Sequence, residues 1–123
     1  MSDKKKIRKE FRDACLTRDK FCCKVCGKKG KDRQGGELHL KFHSKSQNLI
    51  DLDCHHIQNR NDIPNGGYIK ENGISLCTDC HINAELYHIS EGKEFVPGFH
   101  PNDLFILIGS SLEKAINFSK KIK

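Results

Sequence analysis

A chain of 123 residues that is 36% hydrophobic and 31% charged, with no Trp, allows one compact domain with a modest core and excludes two independent ones. The formal net charge of +6 suits a polyanionic partner or bare solubility. The longest apolar run, Leu104 to Ile108, falls far short of the ~20 residues that span a bilayer, which excludes a transmembrane role.

The chain opens on the charged run Met-Ser-Asp-Lys-Lys-Lys rather than on a signal peptide, so an intracellular, reducing setting is expected. There, paired C-x2-C spacings read as metal ligands in preference to disulfides. Basic residues gather at Lys4, Lys5, Lys6, Arg8, Lys9 and Arg12, from Lys28 to Arg33, and at Lys120, Lys121 and Lys123.

From Lys5 to Thr17, Ile7, Phe11, Ala14 and Cys15 recur at helical spacing among charged residues, which predicts an amphipathic first helix ending near Arg18-Asp19. Phe21 to Gly27 reads as a tight turn bearing cysteines, and the Gly- and Lys-rich Lys28 to Gly36 as a loop. Alternation of Leu38, Leu40 and Phe42 with His39, Lys41 and His43 predicts a half-buried strand over Glu37 to His43, and a second strand is expected from Leu49 to Cys54. Gln58 to Gly73, rich in Asn and Gly with Pro64, reads as a long ordered loop.

Ile74-Ser75-Leu76 then leads into Cys77, and Thr78 or Asp79 caps a helix to about Ile89. On it His81, Glu85 and His88 share one face. Asn102 or Asp103 caps a C-terminal helix through Leu104 to Ile108, Gly109 breaks it, and a second helical pattern runs from Leu112 to Phe118. The whole reads as one domain, 1–123, with a core at about 18–89 and a helical extension at about 101–121.

Cys23-x2-Cys26 and Cys77-x2-Cys80 form two knuckles whose four thiolates close a tetrahedral shell. A shell with no open position makes the expected ion a structural Zn²⁺, supplying stability that so polar a chain cannot draw from packing alone. Cys22 lies at the less usual x3 spacing from Cys26. Cys15 and Cys54, with no partner at ligand spacing, read as small buried apolar residues.

Asp53-Cys54-His55-His56-Ile57, followed by Asn72-Gly73-Ile74-Ser75-Leu76-Cys77-Thr78-Asp79-Cys80-His81, resembles the HNH nuclease family when taken with the first cysteine pair. The likeness covers Arg18 to Ile89. It implies an α+β fold with a small ββα-metal (HNH) core, supported by the zinc knuckles and flanked by an N-terminal helix and C-terminal helices. It implies His55 and His81 as ligands of one catalytic divalent ion (Mg²⁺, Mn²⁺, Ni²⁺ or Zn²⁺), His56 as general base and Asn72 as the family's Asn. Glu85, one turn beyond His81, stands where some relatives have a further ligand, and could coordinate directly, through water, or not at all.

Neighbouring residues on a regular strand point to opposite faces, so His55 and His56 could serve one site only if the strand bends, and the resemblance implies that bend. A general base needs its second ring nitrogen held so that the other remains an acceptor; a backbone carbonyl of the long loop is the expected partner for His56, with Asn72 helping to pin that loop. The expected activity is hydrolysis of DNA phosphodiester bonds, in double-stranded DNA, with a dimer or partner protein supplying any sequence preference. Arg60, the loop's only cation before Lys70, is a candidate nucleic-acid contact. The alternative reading is a non-catalytic, zinc-stabilised nucleic-acid-binding module.

Overall fold

A computed structural model describes residues 3–122. Helix α1, Asp3–Arg18, buries Phe11, Cys15 and Leu16 and places Asp3 in its first turn and Arg18 in its last, both favourable to the helix dipole. Lys20 and Phe21 then adopt positive φ to turn the chain sharply, and Phe21 drops into the core.

Three strands follow, β1 at Gly30–Asp32, β2 at Ile50–His56 and β3 at Gly73–Cys77, in the order β1-β2-β3. β1 runs parallel to β2 with Gly30 opposite Ile50, and β2 is antiparallel to β3 from Leu52 opposite Cys77 to His56 opposite Gly73. Helix α2, Thr78–Ile89, packs on one face of the β2–β3 pair and α1 on the other. β3 is buried along its full length between the two helices, so it shows no polar alternation. Gly73 permits the close approach of α1: a Cβ there would run into Cys15 Sγ and the Phe11 ring.

Helices α3, Pro101–Leu107, and α4, Leu112–Ser119, close the core through Leu104, Phe105 and Ala115, which join Leu16, Leu52, Ile57, Ile74 and Leu76. β2, β3 and α2 form a ββα core, flanked by N- and C-terminal helices in an α+β fold. No helix among the described residues is long and apolar enough to cross a membrane.

Several expected elements are different. Glu37 to His43 is not a strand; Leu38–Lys41 forms a short 3-10 helix after Gly35 and Gly36, both at positive φ. The place beside β2 is taken by β1, from the stretch expected to be a loop. Its buried positions are Gly30 and Asp32, with Asp32 held by Arg12 Nε at 3.1 Å, so no apolar pattern announces it. The lead into Cys77 is itself strand β3. Cys77, rather than Thr78 or Asp79, is the N-cap of α2, and His100 caps α3 by accepting from Asn102 N–H at 3.1 Å, in place of Asn102 or Asp103.

Candidate functional site

Cys23 and Cys26 come from the turn after α1, Cys77 from the end of β3 and Cys80 from the first turn of α2. Their sulfurs all lie within 4.8 Å of one another, with Cys26 Sγ and Cys77 Sγ 3.7 Å apart. Four thiolates about 2.3 Å from a tetrahedral zinc stand about 3.8 Å apart, so the donor set and spacing fit Zn²⁺. A bond from Lys24 N–H to Ser75 O at 2.8 Å ties the first knuckle to β3. Burial alone would raise the Cys23 thiol, but backbone hydrogen bonds at Cys26, Cys77 and Val25 bring it down to about 7, favouring the thiolate that zinc needs. Cys22 stays outside this cluster with its Sγ on Lys20 O, and Cys15 on the buried side of α1 is beside Cys54 of β2.

The second cluster sits between β2 and α2. Strand periodicity puts Asp53 and His55 on the face towards α2, and the i,i+4 spacing of His81 and Glu85 stacks those two on the facing side of the helix. Glu85 Oε1 is 3.2 Å from His55 Nδ1 and 3.1 Å from His81 Nε2. Ligands held about 2.0–2.1 Å from one ion stand about 2.9–3.4 Å apart in octahedral or tetrahedral geometry, so both distances to Glu85 suit a divalent cation, and all three donors lie within 4.8 Å of one another. Mixed imidazole and carboxylate donors suit Zn²⁺, Mn²⁺ or Ni²⁺.

The surroundings keep Glu85 anionic and His55 neutral, as ligands must be, but leave His81 holding a proton that an ion would have to displace. Hydrogen bonds from His55 and then His81 hold Glu85 well below the usual carboxylate range. Burial lowers His55, which is only 2% exposed, and so favours the neutral ligand form. Asp53, followed by Glu85, raises His81 to about 9, while the bond from His81, opposed by burial and aided by Arg33, lowers Asp53 to about 2.

Sequence reasoning missed Asp53. Its Oδ2 is 3.2 Å from His81 Nδ1, leaving His81 Nε2 to face Glu85, and Arg33 grips the carboxylate from behind through Nε at 2.8 Å and Nη2 at 3.2 Å. The available signal was its place two residues before His55 on a strand, hence on the same face. His88 stays outside the three-donor cluster; its Nε2 bonds His56 O at 3.1 Å and its ring lies 5.3 Å from that of His55.

His56 is on the other face. β2 pairs one-to-one with β3 through His56, so the expected bend is absent, and regular pleating sends the two imidazoles apart. The His56 ring packs 4.5 Å from Phe11 and 4.8 Å from Tyr68. Its Nε2 is buried with no hydrogen-bond partner among the described residues, so the carbonyl expected from the long loop does not meet it. Burial, followed by electrostatic coupling to His55 and the Arg60 cation, lowers its pKa to about 4.

Asn72, fully buried, does join the ends of that loop. It accepts from Gln58 N–H at 2.9 Å and donates to Gln58 O at 3.1 Å and Gly67 O at 3.3 Å. Arg60 lies on the exposed loop surface near Tyr68. No protein-family model, curated protein or solved structure matched the chain.

Proposed function

We propose, from an HNH-like ββα-metal core that carries a four-cysteine zinc-knuckle cluster and a separate His55/His81/Glu85 site, that the chain is a metal-dependent DNA endonuclease. The observation that carries this reading is the convergence of two imidazoles and one carboxylate from β2 and α2, away from the cysteine cluster. A structural site is closed, whereas three protein donors leave coordination positions for substrate and water.

His55, His81 and Glu85 hold the divalent ion, and Asp53 keeps His81 in the tautomer that presents Nε2. The bound ion supplies Lewis-acid polarisation of a phosphoryl oxygen and charge stabilisation of the departing 3′ oxygen. His56 is the proton acceptor for the attacking water in this reading, and burial keeps it neutral at pH 7. A value of about 4 is low for that role, and a phosphodiester anion beside the ring raises it towards the working range.

Because His55 and His56 face opposite sides, a phosphodiester served by both must lie across the end of β2. Asn72 keeps the chain leaving that end in place. Double-stranded DNA is the substrate in this reading, and sequence preference comes from a second copy or a partner protein.

The buried, unpartnered Nε2 of His56 favours a second reading, a non-catalytic nucleic-acid-binding module stabilised by zinc. Plasmid cleavage by purified protein with Mg²⁺, Mn²⁺, Ni²⁺ or Zn²⁺ added in turn separates the two. Nicked or linear product with at least one ion, lost on chelation, supports the nuclease; DNA binding without cleavage under every ion replaces it with the module.

A further inference from the structure

The arginines of this chain fall into two groups. Arg12, Arg18 and Arg33 each face a carboxylate, Asp32, Asp19 and Asp53 respectively. Arg8 on α1 and Arg60 on the long loop have no carboxylate within ion-pair distance among the described residues. They converge instead on one neutral group, the hydroxyl of Tyr68: Arg60 Nη1 donates to it at 3.5 Å, and Arg8 lines the same groove from the other element. Partial burial acts to raise the hydroxyl, but the Arg60 and Arg8 guanidinium groups beside it together draw it below its usual range.

Two cations brought together from distant parts of the chain repel each other, and no carboxylate among the described residues pairs with either. The groove they line measures about 420 Å³ and also takes in Lys4, Asn61 and Asn65, with no acidic side chain among the described residues of its wall. Its floor is fixed. The Tyr68 ring meets His56 at 4.8 Å and Phe11 at 5.7 Å, edge-on to both, and lies over Gly66, where a Cβ would strike it. Asn65 Nδ2 ties the loop to Ser119 O at 3.0 Å and Ile122 O at 3.2 Å.

We propose that Arg8, Arg60 and the Tyr68 hydroxyl form a seat for a backbone phosphate of DNA, on the His56 side of β2. Guanidinium groups suit it because they offer forked donors to phosphate oxygens and remain charged at every working pH. The seat rests on the reading of the chain as a DNA-acting protein. It supplies what the opposed faces of His55 and His56 require: an anchor on the His56 face, from which the strand crosses the end of β2 towards the cluster of His55, His81 and Glu85. A phosphate contact of this kind positions the duplex without reading its sequence.

The test is binding of a short labelled DNA duplex by fluorescence anisotropy, with no divalent ion added and salt varied between about 50 and 200 mM. Arg8→Gln and Arg60→Gln should each weaken binding about tenfold and flatten the dependence of log affinity on log salt by about one. Tyr68→Phe should weaken it less, because the ring stays and only the hydroxyl leaves. Lys45→Gln removes an exposed charge outside the groove and should change affinity by less than about twofold. Zinc content and thermal midpoint, measured on each variant, identify any loss that is merely unfolding.

Unchanged affinity and slope in both arginine variants would overturn the seat, as would equal losses in Lys45→Gln, which would mean diffuse attraction. Wild-type protein that binds no DNA would overturn it too. Plasmid cleavage is scored separately. Cleavage by a wild type whose arginine variants bind normally would sink the seat and leave the nuclease standing. Arginine-dependent binding without cleavage under any ion would sink the nuclease and leave the seat.

Discussion

Replacing Asp53 with asparagine removes a charge while keeping the volume, and the surroundings leave the new amide no good orientation. In the native chain Oδ2 faces His81 Nδ1 at 3.2 Å, while Oδ1 and Oδ2 accept from Arg33 Nε at 2.8 Å and Nη2 at 3.2 Å. If the asparagine oxygen turns to Arg33, its NH₂ faces Nδ1 and drives the proton of a neutral His81 onto Nε2, the atom 3.1 Å from Glu85 Oε1. If the oxygen turns to His81, NH₂ confronts the guanidinium, donor against donor.

Loss of such an outer partner costs about 10–100-fold in metal affinity. Side-chain exposures of 19% for Asp53 and 29% for His81 give water some access to the gap, so the lower end, about tenfold, is expected. Calorimetric titration of zinc-loaded protein with Mn²⁺ or Ni²⁺ reads this directly, while the zinc retained at the cysteines reports the fold. Equal affinity in Asp53→Asn and wild type would refute the argument that Asp53 orients His81.

Cys77→Ser should lose the structural zinc and much of the fold, because the ion's binding energy is folding energy; well-folded wild-type protein without tightly bound zinc would contradict this. Asn72→Ala strands Gln58 N–H and two carbonyls, and leaving even one buried group unsatisfied costs about 1–3 kcal/mol, so the thermal midpoint should fall with zinc retained. Apparent affinity for the second ion should rise with pH. His81 in the metal-free protein holds its proton up to about 9, chiefly through Asp53, and the ion needs Nε2 bare, so affinity climbs about tenfold per unit below that value. Affinity that stays flat between about pH 7 and 9 would count against the raised His81 pKa.

The two C-x2-C pairs were legible because ligand spacing within a knuckle is local, and so was the i,i+4 relation of His81 and Glu85 on one helix. α1, α2 and both C-terminal helices follow from periodicity and turn residues close in sequence. β1 was not legible, because its three residues bury Gly30 and Asp32, and its alignment depends on β2 some twenty residues away. The alternation from Leu38 to His43 misled for the complementary reason: a strand needs a free partner edge as well as a pattern, and two glycines at positive φ turn the chain before one is met. The orientation of His56 turned on whether β2 bends at its end, which depends on pairing with Gly73. The meeting of Arg8, Arg60 and Tyr68 is a product of the packing of α1 against the long loop, and no local spacing encodes it.

A general base and a metal ligand fail differently when truncated, so the central claim is tested most directly by the rate of plasmid cleavage as divalent ion is raised, for wild type, His81→Ala and His56→Ala side by side. The wild type should saturate at low ion concentration. His81→Ala should fall at that concentration and recover in part with excess ion, whereas His56→Ala should lose about 10²-fold and stay there at every concentration, with zinc and DNA binding intact. Wild-type rates in both variants, with contaminating nuclease excluded, would contradict the account.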